Sequence, residues 1–479
     1  MQDIPVLIIG EAFDGPPEAV LPITSADQAF RLYGGYHYER TNIASGDTGY
    51  ELSITPWDNE VKSFQEDSDG LLSPKQLWEF SVNGNFLTWN RYGDALSNVV
   101  FQALRVPGPR SLLQGVLAAL DYQNPVYVMR VDNSTSAQSA TSGGFYFRAR
   151  YPGAKYNGTT IVVSGDRVSI TPAAGCGASV SNRQFTSDFT FTEWLQTENT
   201  RGREQFYLHG PRSQTSFTIP TATYVLTGGT NGTLNGDRAT AIIEDYDFRG
   251  IEVVCPVGVP SIELSGAGFF SALKDLVYPT IAVVQAVPSG AALSGIINTD
   301  RQVVSVAFQV DYESGQSRQR TYDAAPLVAG LIGSTRFNIT MAQLSQGPPT
   351  PRYTQTELHA LTSGGHLTAF RSISKNWALW QCQTGDPRWS VSCMRAFQQV
   401  VREVFIACDD IIGKNFVDLT SIEDKIRTAL GRVTTGEIVD WAVDLKGDIL
   451  YIDITFRPNG ELRTVSARVN IGRQQFPLT

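Results

Sequence analysis

The chain has 479 residues, 42% of them hydrophobic and 10% aromatic, which is enough apolar material for several buried cores and, by length, about three domains. Its formal net charge of −9 excludes general nucleic-acid binding, which needs a basic footprint, but leaves room for a local basic patch. Charged residues make up 18%, below the roughly 25% of an average globular protein, and Ser, Thr, Asn, Gln and Gly fill the difference, as in β-rich chains with many loops.

No run approaches the ~18 consecutive apolar residues of a membrane span. Residues 1–9 have no basic n-region and too short an apolar run for a signal peptide, so the expectation is a chain made and kept in a cytoplasm, with no membrane insertion. The apolar run 4–9 ends at Gly10 and reads as a buried strand. Gly15-Pro16-Pro17 turns the chain, and a short helix packing Ala29, Phe30 and Leu32 runs from Thr24–Asp27 to Gly34-Gly35. From 36 to 110 aromatic and polar residues mix without sustained periodicity, Trp57, Trp78 and Trp89 among them, which suggests an inserted surface domain. Residues 111–120 predict a helix and 126–131 a strand.

Residues 145–240 are rich in Thr, Ser and Gly, with short alternating runs such as 160–163 and 168–170 that predict an antiparallel β region. Between 250 and 335, apolar strands (251–255, 281–285, 303–310) alternate with a helix near 269–276. Residues 347–351, Gly-Pro-Pro-Thr-Pro, are the best linker candidate. The C-terminal third is the clearest part. Phe397, Val400, Val401, Val404, Cys408 and Ile411 have helical spacing over 396–412. A second helix carries Ile422, Ile426 and Leu430 behind a capping box at Thr420–Glu423. Two closing strands follow, with Leu450, Ile452, Ile454 and Phe456 on one face of the first and Val465, Ala467, Val469 and Ile471 on one face of the second.

The fold class is therefore α/β and β-rich multidomain. Residues 1–35, 111–145 and 250–346 form an α/β middle domain, 36–110 an inserted surface domain, 146–249 a β-rich domain, and 347–479 a C-terminal domain of helices and strands ending in a strand arm.

There is no Walker A loop, nucleophile elbow or His-Glu-x-x-His. The four histidines, His37, His209, His359 and His366, read as solvated or loop residues, and no cysteine pair has zinc-finger spacing. Gly266-Ala-Gly268 lacks the third glycine of a dinucleotide loop, and Gly228-Gly229-Thr-Asn-Gly232 reads as a solvated turn before an anion cradle. The expectation is a non-enzyme without metal or cofactor. Cys382 and Cys393 flank a turn-like Gln-Thr-Gly-Asp-Pro, so a hairpin could bring them together; a pair of ordinary thiols is the other reading, since a cytoplasm keeps thiols reduced.

Seven stretches, in order, carry a resemblance. Ile8-Ile-Gly-Glu-Ala-Phe-Asp-Gly-Pro16, Val20-Leu-Pro-Ile-Thr-Ser25 and Phe30-Arg-Leu-Tyr-Gly-Gly35 come first. Tyr127-Val-Met-Arg-Val131, Ala149-Arg-Tyr-Pro-Gly153 with Asn157, Leu226-Thr-Gly-Gly-Thr-Asn-Gly232 and Leu327-Val-Ala-Gly330 follow, and the C-terminal helix pair and closing strands complete the series. Together they resemble the contractile phage tail sheath family, also found in related contractile injection systems, over about residues 4–475 without most of 40–108. Members usually carry an N-terminal arm ahead of the opening strand, which this chain reaches almost at once. An Arg-rich triplet of some members is reduced here to Met394-Arg395.

The resemblance implies a mixed α/β sheath core with C-terminal helices and strands, plus inserted β-rich outer domains. It implies a helical homo-oligomer of sixfold rings around an inner tail tube, with baseplate and tail terminator or neck proteins as further partners and no direct contact to nucleic acid. The location implied is the virion tail, assembled in a bacterial host cytoplasm. Contraction then needs no chemistry in this chain. Val465, Ala467, Val469 and Ile471 would mark a strand arm added to a neighbour's sheet, or an ordinary strand closing its own domain. Lys414, Lys425, Arg427 and Arg432 are candidates to face an acidic tube, or else a solvated charged face. Another virion component, baseplate or capsid, and a carbohydrate-binding tail component using Trp57, Trp78 and Trp89 are the alternative functions.

Overall fold

Eight strands form the central sheet, in the spatial order 21–23, 126–130, 6–10, 253–256, 281–285, 303–306, 366–371, 377–380. The structure is a computed structural model. It describes the chain apart from residues 1–4, 13–14, 18, 34, 44–48, 54–57, 67–71, 75–79, 84–85, 91–95, 106–110, 132, 174–179, 197–205, 247–249, 277, 287–299, 314–318, 335–348, 372–376, 381–382, 387–388, 409–418, 435, 447–448, 459–464 and 473–479.

The six inner strands run parallel and the two edge strands, Leu21–Ile23 and Trp377–Trp380, antiparallel. A parallel sheet covered on both faces needs strands that are apolar throughout. Val6–Gly10 meets that need, and Ile281–Gln285 is equally buried, its one polar side chain, Gln285, donating to the carbonyls of Ala286, Val306 and Phe308. Val6 and Ile8 point to one core, Leu7 and Ile9 to the other, as a period of two dictates. The sheet continues past the linker candidate, taking in His366–Arg371 and Trp377–Trp380.

Helices Leu112–Leu120, Ala325–Ser334 and Val391–Cys408 line the first face, and Gly236–Asp245, Ser261–Gly266 and Phe269–Asp275 the second. The Leu-Val-Ala-Gly landmark lies in Ala325–Ser334, a helix whose residues are buried on all sides from Ala325 to Gly333. Gly330 lets it approach its neighbour, since a Cβ there would sit 2.4 Å from the carbonyl oxygen of Ala119.

Beyond the sheet, strands Val180–Gln184, Arg167–Thr171, Thr160–Ser164 and Ala222–Val225 form an antiparallel sheet in that order. A ribbon of Tyr146–Ala149 with Phe206–His209 and a helix, Asp188–Gln196, close over its aromatic core of Phe147, Phe191, Phe206 and Tyr224. Between 35 and 105 lie two further antiparallel sheets, one built on Gly35–Ile43 with Leu96–Arg105 and one on Gly49–Ser53 with Phe86–Asn90. Trp89 is in the second of these, while Trp57 and Trp78 lie outside the described residues.

Several local expectations are corrected. The run 303–310 is two strands, Val303–Val306 in the central sheet and Gln309–Glu313 in a small separate one. Part of the linker candidate, Pro349–Thr350, pairs with Gln309–Val310 in that small sheet, because a buried proline can sit at a ladder edge where no N–H is required. Helix Leu419–Leu430 begins ahead of Thr420, placing Thr420 in its first turn. A capping box unread in the sequence starts helix Gln355–Ser363, with Thr354 and Glu357 exchanging side-chain and backbone bonds. His366 is neither solvated nor in a loop; it opens a buried strand, its Nδ1 3.0 Å from the hydroxyl of Ser305.

Candidate subunit interface

Four of the sequence landmarks meet at one side chain. Arg130, at the C-terminal end of the strand Val126–Arg130, is fully buried. Its Nη1 donates to the carbonyl oxygens of Gly15 at 2.9 Å and Pro152 at 2.7 Å, and its Nη2 to that of Asn231 at 3.2 Å. Those carbonyls belong to the Gly-Pro turn, the Pro-Gly turn and the Gly-Gly loop, three segments far apart in sequence. Arg suits this task because its planar fork donates in several directions at once. Beside it, burial pushes the phenol of Tyr33 far above its usual range, against the pull of Arg130.

The loop around Gly228–Gly232 is held just as closely. Asn157 donates to the Gly229 carbonyl at 2.9 Å and accepts from its N–H at 2.8 Å. A Cβ at Gly229 would lie 2.2 Å from the carbonyl oxygen of Gly153, so only glycine fits. With that N–H engaged, this is a structural joint and no anion cradle.

The C-terminal region seats its helix on the central sheet through polar groups. Arg395 Nη1 donates to the Ile332 carbonyl at 2.5 Å, and Gln398 Nε2 to the carbonyls of Glu252 at 2.6 Å and Pro279 at 2.9 Å. Arg402 pairs with the carboxylate of Glu252. Burial raises Glu252 above the usual carboxylate range, opposed by Arg402 and Arg395, and burial lowers Arg395 to about 10. Of the reduced Arg triplet, then, the remaining arginine is a buried joint residue.

Strands Gly436–Lys446, Ile449–Pro458 and Val465–Gly472 form an antiparallel sheet that packs on helices Val391–Cys408 and Leu419–Leu430. The first of these strands was not read from the sequence. Its apolar residues Ile438, Trp441 and Val443 straddle a bulge between Ile438 and Asp440, which breaks the period. Leu450, Ile452, Ile454 and Phe456 share the buried face as expected.

The closing strand pairs with Ile449–Pro458 of its own chain, Val465 opposite Phe456, Ala467 opposite Ile454, Val469 opposite Ile452 and Ile471 opposite Leu450. Val469 is buried and Ala467 half-buried against the core. Arg468 makes a two-pronged bond to Asp453, at 2.6 and 2.8 Å, on the solvent face. The closing strand is the last in its sheet, so among the described residues its outer edge has no strand beside it.

The candidate cations are scattered over the second helix. Arg427 is exposed, bonds Asp424 at 2.9 Å and lies over the ring of Trp441. Lys425 is half-buried and Arg432 exposed, just past the helix end. Lys414 and Cys382 lie outside the described residues. Cys393, the other half of the suggested pair, is fully buried in the first turn of Val391–Cys408. Among the described residues, no group of three or more His, Cys, Asp or Glu could hold a metal, and no helix is long and apolar enough to cross a membrane.

No protein-family model matches the sequence, and no curated protein matches it. Solved structures do. A sheath tail protein from Desulfitobacterium hafniense superposes with a TM-score of 0.58 at 15% identity, covering 98% of this chain and 97% of that one. A sheath tail protein from Listeria innocua superposes with a TM-score of 0.58 at 12% identity, covering 99% and 96%. The mixed α/β fold of this chain is therefore that of the sheath tail proteins, end to end.

Proposed function

We propose that the chain is the structural subunit of a contractile tail sheath, stacked as rings around an inner tube and contracting to drive that tube through a host envelope. The observation that carries this reading is the likeness to two sheath tail proteins over nearly the whole length of this chain and of both of theirs. A likeness confined to one module would speak only for a shared domain.

The outer edge of Val465–Gly472, beside which no strand lies among the described residues, supports it further. A strand laid along such an edge by a neighbouring subunit adds perhaps five backbone hydrogen bonds, each worth about 1 kcal/mol net. Bonds of that kind join unlike surfaces, and unlike surfaces build an open-ended helix in place of a closed dimer. Exposed cations such as Arg427 and Arg432 suit a releasable grip on a tube, since each exposed pair contributes only about 0–1 kcal/mol. The extended sheath would be a kinetic trap, released at the baseplate into a more stable packing.

Negative-stain electron microscopy of the chain expressed alone, and then with the neighbouring tail genes, tests the proposal. Hollow tubes or stacked sixfold rings are expected. Small monodisperse particles in both preparations would overturn it.

A further inference from the structure

We infer that successive copies of this chain are joined end to end by charge, a basic patch on the β-rich region of one copy meeting acidic helix ends on the next; this rests on the sheath reading and names a contact within it.

The basic patch lies on the outer face of the ribbon Tyr146–Ala149 with Phe206–His209. Phe147, Ala149, Phe206 and Leu208 fill the core, so the alternation puts Tyr146, Arg148, Tyr207 and His209 outward. The rings of Tyr146 and His209 stack, 4.6 Å apart and 5° from parallel. Arg148 and Arg212 are exposed and make no ion pair among the described residues. Burial and these two guanidinium groups together lower the pKa of His209. Asp188, one of whose partners follows Arg212 directly in sequence, has both oxygens engaged by Ser213 and Thr218. Two unpaired arginines held beside a stacked aromatic pair are a conspicuous exception in a chain of net charge −9.

The acidic complement lies on two helices that pack against the central sheet. Helices Gly236–Asp245 and Phe269–Asp275 pack together and each leads into a parallel strand of the central sheet. Their C-terminal ends therefore lie at the sheet's N-terminal edge. Glu244, Asp245 and Asp275 stand there, exposed and without an ion pair among the described residues. An acid at a helix C-terminus opposes the helix dipole, so these positions are unfavourable unless a cation meets them. The cations described at this edge are taken, Lys274 by Asp300 and Arg402 by Glu252.

Topology supplies the geometry. The β-rich region leaves the sheet after Arg130, at the C-terminal end of its strand, and returns into the start of Gly236–Asp245. It is thus mounted on the C-terminal edge, with the Tyr146–His209 end of the ribbon farther in sequence from the Pro152 junction than the Ala149 end. Opposite charge at opposite edges is what a head-to-tail contact requires, and head-to-tail contacts that do not close make filaments. Complementary patches also steer copies together and fix which ends meet.

Charge swaps test this by sedimentation and electron microscopy. Arg148→Glu with Arg212→Glu makes both ends acidic; Glu244→Lys, Asp245→Lys and Asp275→Lys make both ends basic. Each variant alone should assemble only at a concentration raised about tenfold or more, and the wild-type threshold should rise with salt. An equal mixture of the two should restore assembly, because each then offers the other's complement, and that recovery also shows both are folded. Wild-type-like assembly of either variant alone, or a mixture that stays dispersed, would overturn the inference while leaving the sheath reading intact. Wild-type chain that forms no particles even with its tube would remove the sheath reading and this contact together.

Discussion

The guanidinium of Arg130 lies 2.7 Å from the carbonyl oxygen of Pro152, and this bond ties the buried central sheet to the β-rich region. The same side chain holds the carbonyls of Gly15 and Asn231. Removing it would leave three acceptors without their charged donor, two of them in buried bonds. Arg130→Met should therefore destabilise the chain by about 3–5 kcal/mol, each stranded carbonyl costing ~1–3 kcal/mol before relaxation. Arg130→Lys should recover only part, since a point charge cannot reach three divergent carbonyls. Urea unfolding of the three proteins checks the order wild type, Lys, Met.

Gly330 and Ala119 make a second close joint. Gly330→Ala introduces a Cβ against backbone, which cannot move aside as a flexible side chain would. A loss of about 1–3 kcal/mol is expected. Ala119→Gly should fail to rescue it, because the clash is with the carbonyl of residue 119 and not its side chain. Thermal melts of the single and double variants decide.

The pair of Arg402 and Glu252 gives a pH signature. Glu252 is raised by burial, so between its unfolded and folded values the folded state binds more protons, and its contribution weakens as pH rises through that window. Taking Arg402 away raises the group further and strands a buried carboxylate. Arg402→Met should cost roughly 2–4 kcal/mol near neutral pH, toward the lower end of buried pairs because Arg402 keeps a side-chain exposure of 32%. The deficit should shrink as pH falls and Glu252 takes up its proton. Denaturation at a series of pH values would show it; a deficit constant with pH would mean the pair is not what Arg402 supports.

On the tube side, Lys425→Glu with Arg427→Glu should weaken loading of the sheath onto its tube, in a salt-dependent way. Arg427 alone should contribute little of the change, because it already has Asp424 and Trp441 beside it. Loading measured by co-sedimentation with purified tube, unchanged in the variant, would remove both residues from the contact.

Buried thiols make the last expectation. Burial pushes Cys255 far above the usual thiol range, and Cys393 and Cys408 are equally enclosed. A thiol reagent should leave these three almost untouched in the native protein. Denatured without reductant, particles should show five reactive thiols. A count of three would instead establish a disulfide, with Cys382 and Cys393 the pair to test.

Much of the architecture was legible because it rests on period and composition. A short apolar run ended by glycine, such as Val6–Gly10, has the length and flank of a strand buried on both faces. The spacing of Ile422, Ile426 and Leu430 fixes one buried stripe of a helix whatever it packs on. The strand Gly436–Lys446 escaped notice because a bulge breaks its alternation. His366 and Pro349 were misjudged because residue type suggested loop or linker while burial in a neighbouring sheet decided otherwise.

What the sequence by itself determined was the strongly periodic elements, the order of the family-like landmarks and the absence of a recognisable catalytic motif, all of them properties of neighbours along the chain. Only the tertiary structure decided that Gly15, Pro152 and Asn231 converge on Arg130, and that Arg395 and Gln398 are joints. The physical reason is that burial and hydrogen-bond satisfaction depend on residues from 22 to 146 positions apart in these joints, and local patterning carries no record of which distant partner will arrive.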